Sequence, residues 1–123
     1  MEMTQAGQVA ILRFPHADLA PGRPRPVLLI TPVPGPYDDW LICMISTQLQ
    51  QALANFDEVL DEHADDFPRS GLKGASVIRL ARLAVVSTDL LIGAIGEINS
   101  ERLQRIRQKI ADWIQGTLPI SQS

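Results

Sequence analysis

Arg23-Pro24-Arg25-Pro26-Val27-Leu28-Leu29-Ile30 is the stretch that decides how this chain is laid out. Proline has no N–H to offer a neighbouring strand and is accepted at a strand's first residue, so Pro26 marks a beginning. The run from Val27 to Ile30 leaves no polar face for water, which predicts a strand buried on both sides. The cation of Arg25 is then held at the mouth of that strand, and candidate chemistry is placed there.

On the C-terminal side, residues 31 to 39 hold three prolines and Gly35, which continue neither a helix nor a central strand, so the chain turns. Trp40 to Thr47 is again mostly apolar and reads as the antiparallel neighbour. A turn centred on Gly35 and Pro36 pairs position 25 with position 46. Since neighbouring strands lie about 5 Å apart, Arg25 and Ser46 then share one end of the sheet. A slip of one residue brings Thr47 there instead. On the N-terminal side, Gln8 to Phe14 is rich in branched residues between Gly7 and Pro15 and reads as the first strand. Pro15 to Pro24, with three prolines, Gly22, His16 and Asp18, is a long loop leading into the opening stretch.

Further on, Gln48 to Asn55 suits a turn or a short helix. Residues 57 to 66 carry six carboxylates, Asp57, Glu58, Asp61, Glu62, Asp65 and Asp66, with His63 among them. Carboxylates with an imidazole suit a divalent cation, but no spacing here matches a calcium loop, and a solvated acidic strand and loop is the expectation. Pro68 to Gly74 reads as a turn, and Ala75 to Leu83 as a strand that Val85 and Val86 extend. Leu90 to Ile98 is apolar but broken by Gly93 and Gly96, which favours a bent strand over a helix. Asn99 or Ser100 caps a terminal helix with Glu101 in its first turn. Leu103, Ile106, Ile110, Trp113 and Ile114 make its apolar stripe, Arg102, Arg105, Gln108, Lys109 and Asp112 lie mainly off it, and Gly116 and Pro119 end it.

Five or six short strands followed by one helix predict a mainly β fold, a small antiparallel barrel or strongly curled sheet with the helix packed on it. At 123 residues, 46% of them apolar, the chain is expected to form one domain, 1–123, with an ordered core at about 7–118. The single cysteine, Cys43, lies in an apolar run and reads as a buried, inert thiol; one cysteine closes no disulfide, which fits a reducing cytoplasm. No apolar run approaches the roughly 18 residues of a membrane span, and the N-terminus lacks the pattern of a secretion signal, so a soluble cytoplasmic protein is expected. A net charge of -3 argues against holding nucleic acid through an overall field and leaves only a local cluster for a phosphate.

The order of these pieces resembles the PemK/MazF toxins of bacterial type II toxin-antitoxin systems. The resemblance rests on Gly7 to Phe14, Phe-Pro-His-Ala-Asp-Leu at 14 to 19, Arg-Pro-Val-Leu-Leu-Ile at 25 to 30, Ile-Ser-Thr-Gln at 45 to 48, and Gly-Leu-Lys-Gly-Ala-Ser-Val-Ile-Arg-Leu at 71 to 80. Ile-Gly-Glu-Ile at 95 to 98 fits as well. It implies an SH3-like antiparallel barrel, usually a homodimer, that cleaves single-stranded RNA (mRNA) with no cofactor or metal and is silenced by a cognate antitoxin. Matched position by position, it implies Arg25 and Ser46, where threonine is usual, and His16 of the preceding loop as catalytic residues. Arg79, which matches an arginine of PemK-like members, is an expected RNA contact together with Thr47 and Arg23. The aspartate expected two residues after Arg79 is Ala81 here, a departure from the three-residue arrangement of PemK-like members. The other readings are a gyrase-poisoning toxin on the related barrel, whose Trp-Gly-Ile chain end the final Ile-Ser-Gln-Ser does not resemble, and a catalytically degenerate binding module.

RNA carries its own nucleophile, the 2′-hydroxyl beside the phosphate, so a protein need only move protons and stabilise charge. A guanidinium suits the charge, because it stays protonated and presents planar donors to phosphate oxygens. A hydroxyl such as Ser46 suits a hydrogen bond to the 2′-hydroxyl or a phosphate oxygen. An imidazole such as His16 suits the proton transfer.

Overall fold

The computed structural model describes residues 5–13 and 24–119. They form strands β1 (Gln8–Arg13), β2 (Pro24–Pro32), β3 (Asp39–Ser46), β4 (Glu58–Leu60), β5 (Ser76–Ser87) and β6 (Leu91–Glu97), a one-turn helix α1 (Phe67–Ser70) and a terminal helix α2 (Ser100–Gln115). The strands make one antiparallel sheet in the order β4-β5-β3-β2-β1-β6. No helix among the described residues is long and apolar enough to cross a membrane.

β2 lies at the centre and is covered on both faces, as its unbroken apolar run requires. Val27 and Leu29 join Ala10, Trp40 and Ile42 on one side. Leu28 and Ile30 join Cys43, Ile45, Leu80, Ile106 and Ile110 on the other. Burial pushes the Cys43 thiol up, so it stays protonated and unreactive.

Register shifts in three of the ladders bend the sheet. On β5, Leu83 pairs with Cys43 but Arg79 pairs with Met44, so residues 80 to 82 bow out of the ladder and what reads in sequence as a strand and its extension is one bent strand. β6 slips twice against β1, around the glycines that had argued for a bend.

The expected mainly β fold with a C-terminal helix is formed; its sheet is open, with β4 and β6 at the edges of the described strands. α1 packs on the β6 edge, and it also corrects the reading of Pro68 to Gly74 as turn alone. Pro68 stands in the first turn of α1, where its missing N–H costs nothing. Gly71 ends α1 with φ 76°, and a Cβ there would collide with the Ile95 carbonyl of β6. A Cβ on Gly96 would likewise collide with Arg69 and Ser70. The two glycines let the backbone of α1 press directly on the edge strand.

The acidic run departs furthest from expectation. Glu58 is only 6% exposed and Asp66 1%, although a solvated face was predicted. Both are covered by cations of α2 that lie off its apolar stripe. Arg102 bridges Glu58 (2.7 Å) and Asp66 (2.9 Å), and Arg105 and Lys109 each reach Glu58 at 2.8 Å. Burial alone would push the Glu58 carboxyl up, but hydrogen bonds from Arg105 and Lys109 hold it below the usual range. Burial is likewise outweighed at Asp66 by Arg102 and the Asn99 backbone N–H. The helix is therefore seated by Ile106 and Ile110 on one side and by ions on the other. Its N-cap is Asn99, whose side chain accepts from Arg102 N at 2.7 Å, and Gly116 ends it. Trp113 and Ile114, at the far end of the stripe, stay exposed, with Trp113 edge-on to Phe56.

Candidate functional site

β2 begins, β3 ends and β5 begins at the same end of the sheet, and a cleft of about 520 Å³ opens there. The ladder decides what meets in it. Val27 pairs with Met44, Leu28 with Cys43 and Leu29 with Ile42, a register that continues by two residues to set Arg25 beside Ser46. Nearer the hairpin tip the pairs are Thr31 with Leu41 and Pro32 with Trp40, so the tip is displaced by one residue from a centre on Gly35 and Pro36. A bulge at Ile30 absorbs the difference, and both Arg25 and Ser46 line the cleft.

Side chains two apart on a strand share a face, so Arg25 and Ser46 lie on the face of Val27 and Met44. Arg25 is exposed and has no hydrogen bond or ion pair to any described residue. The Ser46 hydroxyl accepts from Gln48 N at 3.0 Å, which fixes the turn after β3 and leaves its own proton to donate. Thr47 lines the same cleft, so the register no longer has to choose between the two hydroxyls. His16 and Arg23 lie outside the described residues.

Arg79, opposite Met44, shares the face of Arg25 and Ser46 but lies farther along the sheet. It is half-buried, with Nη1 donating to Gln51 Oε1 at 2.8 Å, and it is not among the described residues lining the cleft. Ala81 lies in the β5 bulge and lines a second, apolar cleft of about 630 Å³ with Leu53, Phe56 and Trp113. A carboxylate at that position would stand among apolar side chains.

The lining contains a residue that the sequence reading did not single out. Lys73 stands in the turn before β5, exposed and without an ion pair to any described residue. Its signal was a lysine flanked by glycine-bearing turn residues just ahead of a strand. Of the fourteen described residues lining the cleft, two are cations, Arg25 and Lys73, and none is a carboxylate. Two members of the acidic run, Glu58 and Asp66, are turned to α2 and paired with its cations. A chain of net charge -3 thus carries a locally cationic cleft, edged by the hydroxyls of Ser46, Thr47 and Ser76 and walled by Ile11, Ile45 and Leu72. Such a lining suits an anion attached to an apolar or planar group. No group of three or more His, Cys, Asp or Glu among the described residues is placed to hold a metal ion.

Residues 5–114 match the family model described as PemK-like, MazF-like toxin of type II toxin-antitoxin system. No curated protein matches the sequence. Among solved structures, the MazE-MazF complex of Deinococcus radiodurans superposes with a TM-score of 0.65 at 16% identity, over 93% of this chain and 97% of that one. MazF from the same organism gives 0.65 at 20% identity, over 94% and 99%. An endoribonuclease in complex with its cognate antitoxin from a mycobacterial species gives 0.64 at 15% identity, over 97% and 100%. At these identities the structural likeness is one of fold.

Proposed function

The chain belongs to the PemK-like, MazF-like toxins of type II toxin-antitoxin systems, and from that membership we propose that it is an endoribonuclease that cuts single-stranded RNA by attack of a 2′-hydroxyl on the neighbouring phosphate. The observation that carries this reading is the cleft itself, in which Arg25, Lys73 and Ser46 line one space with no carboxylate among its described lining residues. Arg25 stabilises the charge that builds on the phosphorus oxygens, and because guanidinium is always protonated it does so without proton exchange. Ser46, already accepting from Gln48 N, donates its proton to a phosphate oxygen or orients the 2′-hydroxyl. Thr47, Arg23 and Arg79 extend the contact to flanking nucleotides, and His16 is the candidate base. The reaction needs no bound metal, because nucleophile and electrophile belong to the same substrate.

The partners proposed are a second copy of the chain, a cognate antitoxin and mRNA. Support for the antitoxin comes from relatives of this fold solved with theirs.

The test is cleavage of a long single-stranded RNA by purified protein in the presence of a chelator, with the ends mapped. Wild type is expected to cut at defined sites and Arg25→Ala to lose about 10² to 10³ in rate, as when one charge-stabilising donor is removed. Arg25 is exposed, so the variant should keep its thermal midpoint. Unchanged cutting by Arg25→Ala rejects the assignment.

A further inference from the structure

Breaking the P–O5′ bond leaves an alkoxide that needs a proton. Arg25 is unsuited to supply it, because a guanidinium holds its proton too firmly, and a serine hydroxyl is a weaker acid still. We propose that Lys73 is the general acid of this site, a reading that rests on the RNA cleavage proposed above.

Lys73 is the one side chain lining the cleft, among the described residues, that can both give up a proton and recover it from solvent. Asp, Glu, His, Cys and Tyr are absent from the described lining residues. The contrast with Lys109 is informative: that lysine is committed to Glu58 at 2.8 Å, whereas Lys73 has no ion pair with any described carboxylate. The backbone on both sides of Lys73 is braced. Ser70 Oγ donates to Phe67 O at 2.6 Å and accepts from Leu72 N at 3.2 Å, and Leu72 packs on the core. Beyond it, Ser76 Oγ donates to Gly74 O at 2.9 Å. With Gly71 pressed on Ile95, the turn has little freedom, and a lysine on a fixed stem covers a small volume of the cleft.

The step balances. The 2′-oxygen bonds to phosphorus as its proton passes to the base, for which His16 is the candidate named above, and the P–O5′ bond breaks with its electron pair going to O5′. The ammonium of Lys73 gives O5′ a proton, and the amine is reprotonated by water. The products are a 2′,3′-cyclic phosphate and a 5′-hydroxyl.

The experiment uses two short RNAs containing a site that the wild type cuts, one with the natural 5′-oxygen and one with sulfur in its place, both in chelator. A thiolate leaves without being protonated, so loss of a general acid is felt only with oxygen. Lys73→Met is expected to cut the oxygen substrate about 10² to 10⁴-fold more slowly and the sulfur substrate close to the wild-type rate. Lys73→Arg should bind a 2′-deoxy analogue as well as wild type does yet stay slow on oxygen. Arg25→Ala should be slow on both, since it acts on charge. An equal loss by Lys73→Met on both substrates, or no loss on either, overturns the proposal while leaving RNA cleavage standing. A wild type that cuts neither RNA removes the cleavage reading and this one with it.

Discussion

Replacing Glu58 by glutamine should cost about 3 kcal/mol of stability, and the structure shows where that figure comes from. The Glu58 carboxylate accepts four hydrogen bonds from α2: Arg102 Nη1 at 2.7 Å, Arg105 Nη2 at 2.8 Å, Arg105 Nε at 2.9 Å and Lys109 Nζ at 2.8 Å. Breaking a buried ion pair by removing one partner costs about 3 to 5 kcal/mol, because a charge is left buried and unpaired. Three corrections apply. The Arg105 side chain is 50% exposed and returns to water, so its share falls to about 1 kcal/mol or less. Arg102, 12% exposed, keeps its bond to Asp66, and Lys109, 24% exposed, keeps one to Phe56 O at 3.1 Å. What remains is two half-orphaned cations and an amide that still accepts one hydrogen bond, which brings the expectation to the low end of the range. Urea unfolding at neutral pH gives the number directly, and a thermal scan should show a fall of about 10 °C or more. The control is Glu62→Gln, an exposed member of the same acidic run, expected to stay within about 0.5 kcal/mol of wild type. Equal stability of the two variants would refute the buried latch.

The same carboxylates set the acid response. Glu58 and Asp66 have native values held below their ordinary 4.5 and 3.8, so their contribution is complete above that range and lost as pH falls through the lowered values. Stability should be level between about pH 6 and 8 and drop below about pH 4, with a shallower drop in Glu58→Gln, measured by urea midpoints across pH. Gly71→Ala puts a Cβ against Ile95 in a left-handed conformation and should cost about 2 kcal/mol or more, whereas Gly74→Ala meets open space and should be tolerated; equal effects would mean that the contact with β6 is not tight. Ser46→Ala removes the acceptor for Gln48 N and should lose about 1 kcal/mol together with most of the cutting, while Ser46→Thr keeps both; an alanine variant with full activity would move the reactive hydroxyl to Thr47.

The sequence by itself determined whatever rests on local pattern. An apolar run with no polar face must be a covered strand, so β2 was legible from Val27 to Ile30. Helical spacing with Asn99 before it and Gly116 after it made α2 legible, and the glycines of β6 announced its bend. The convergence of Arg25 and Ser46 followed from a turn and the two-residue period of strands, with an unforeseen bulge at Ile30 absorbing an error at the hairpin tip. Only the tertiary structure decided the fate of the charges. Nothing local distinguishes Glu58 and Asp66 from Glu62 and Asp65; the first two are buried because Arg102, Arg105 and Lys109 come to meet them from a helix some forty residues later. That pairing turns Glu58 and Asp66 to α2. Among the described residues no carboxylate of another element reaches Lys73, a fact about long-range neighbours that no window of sequence contains.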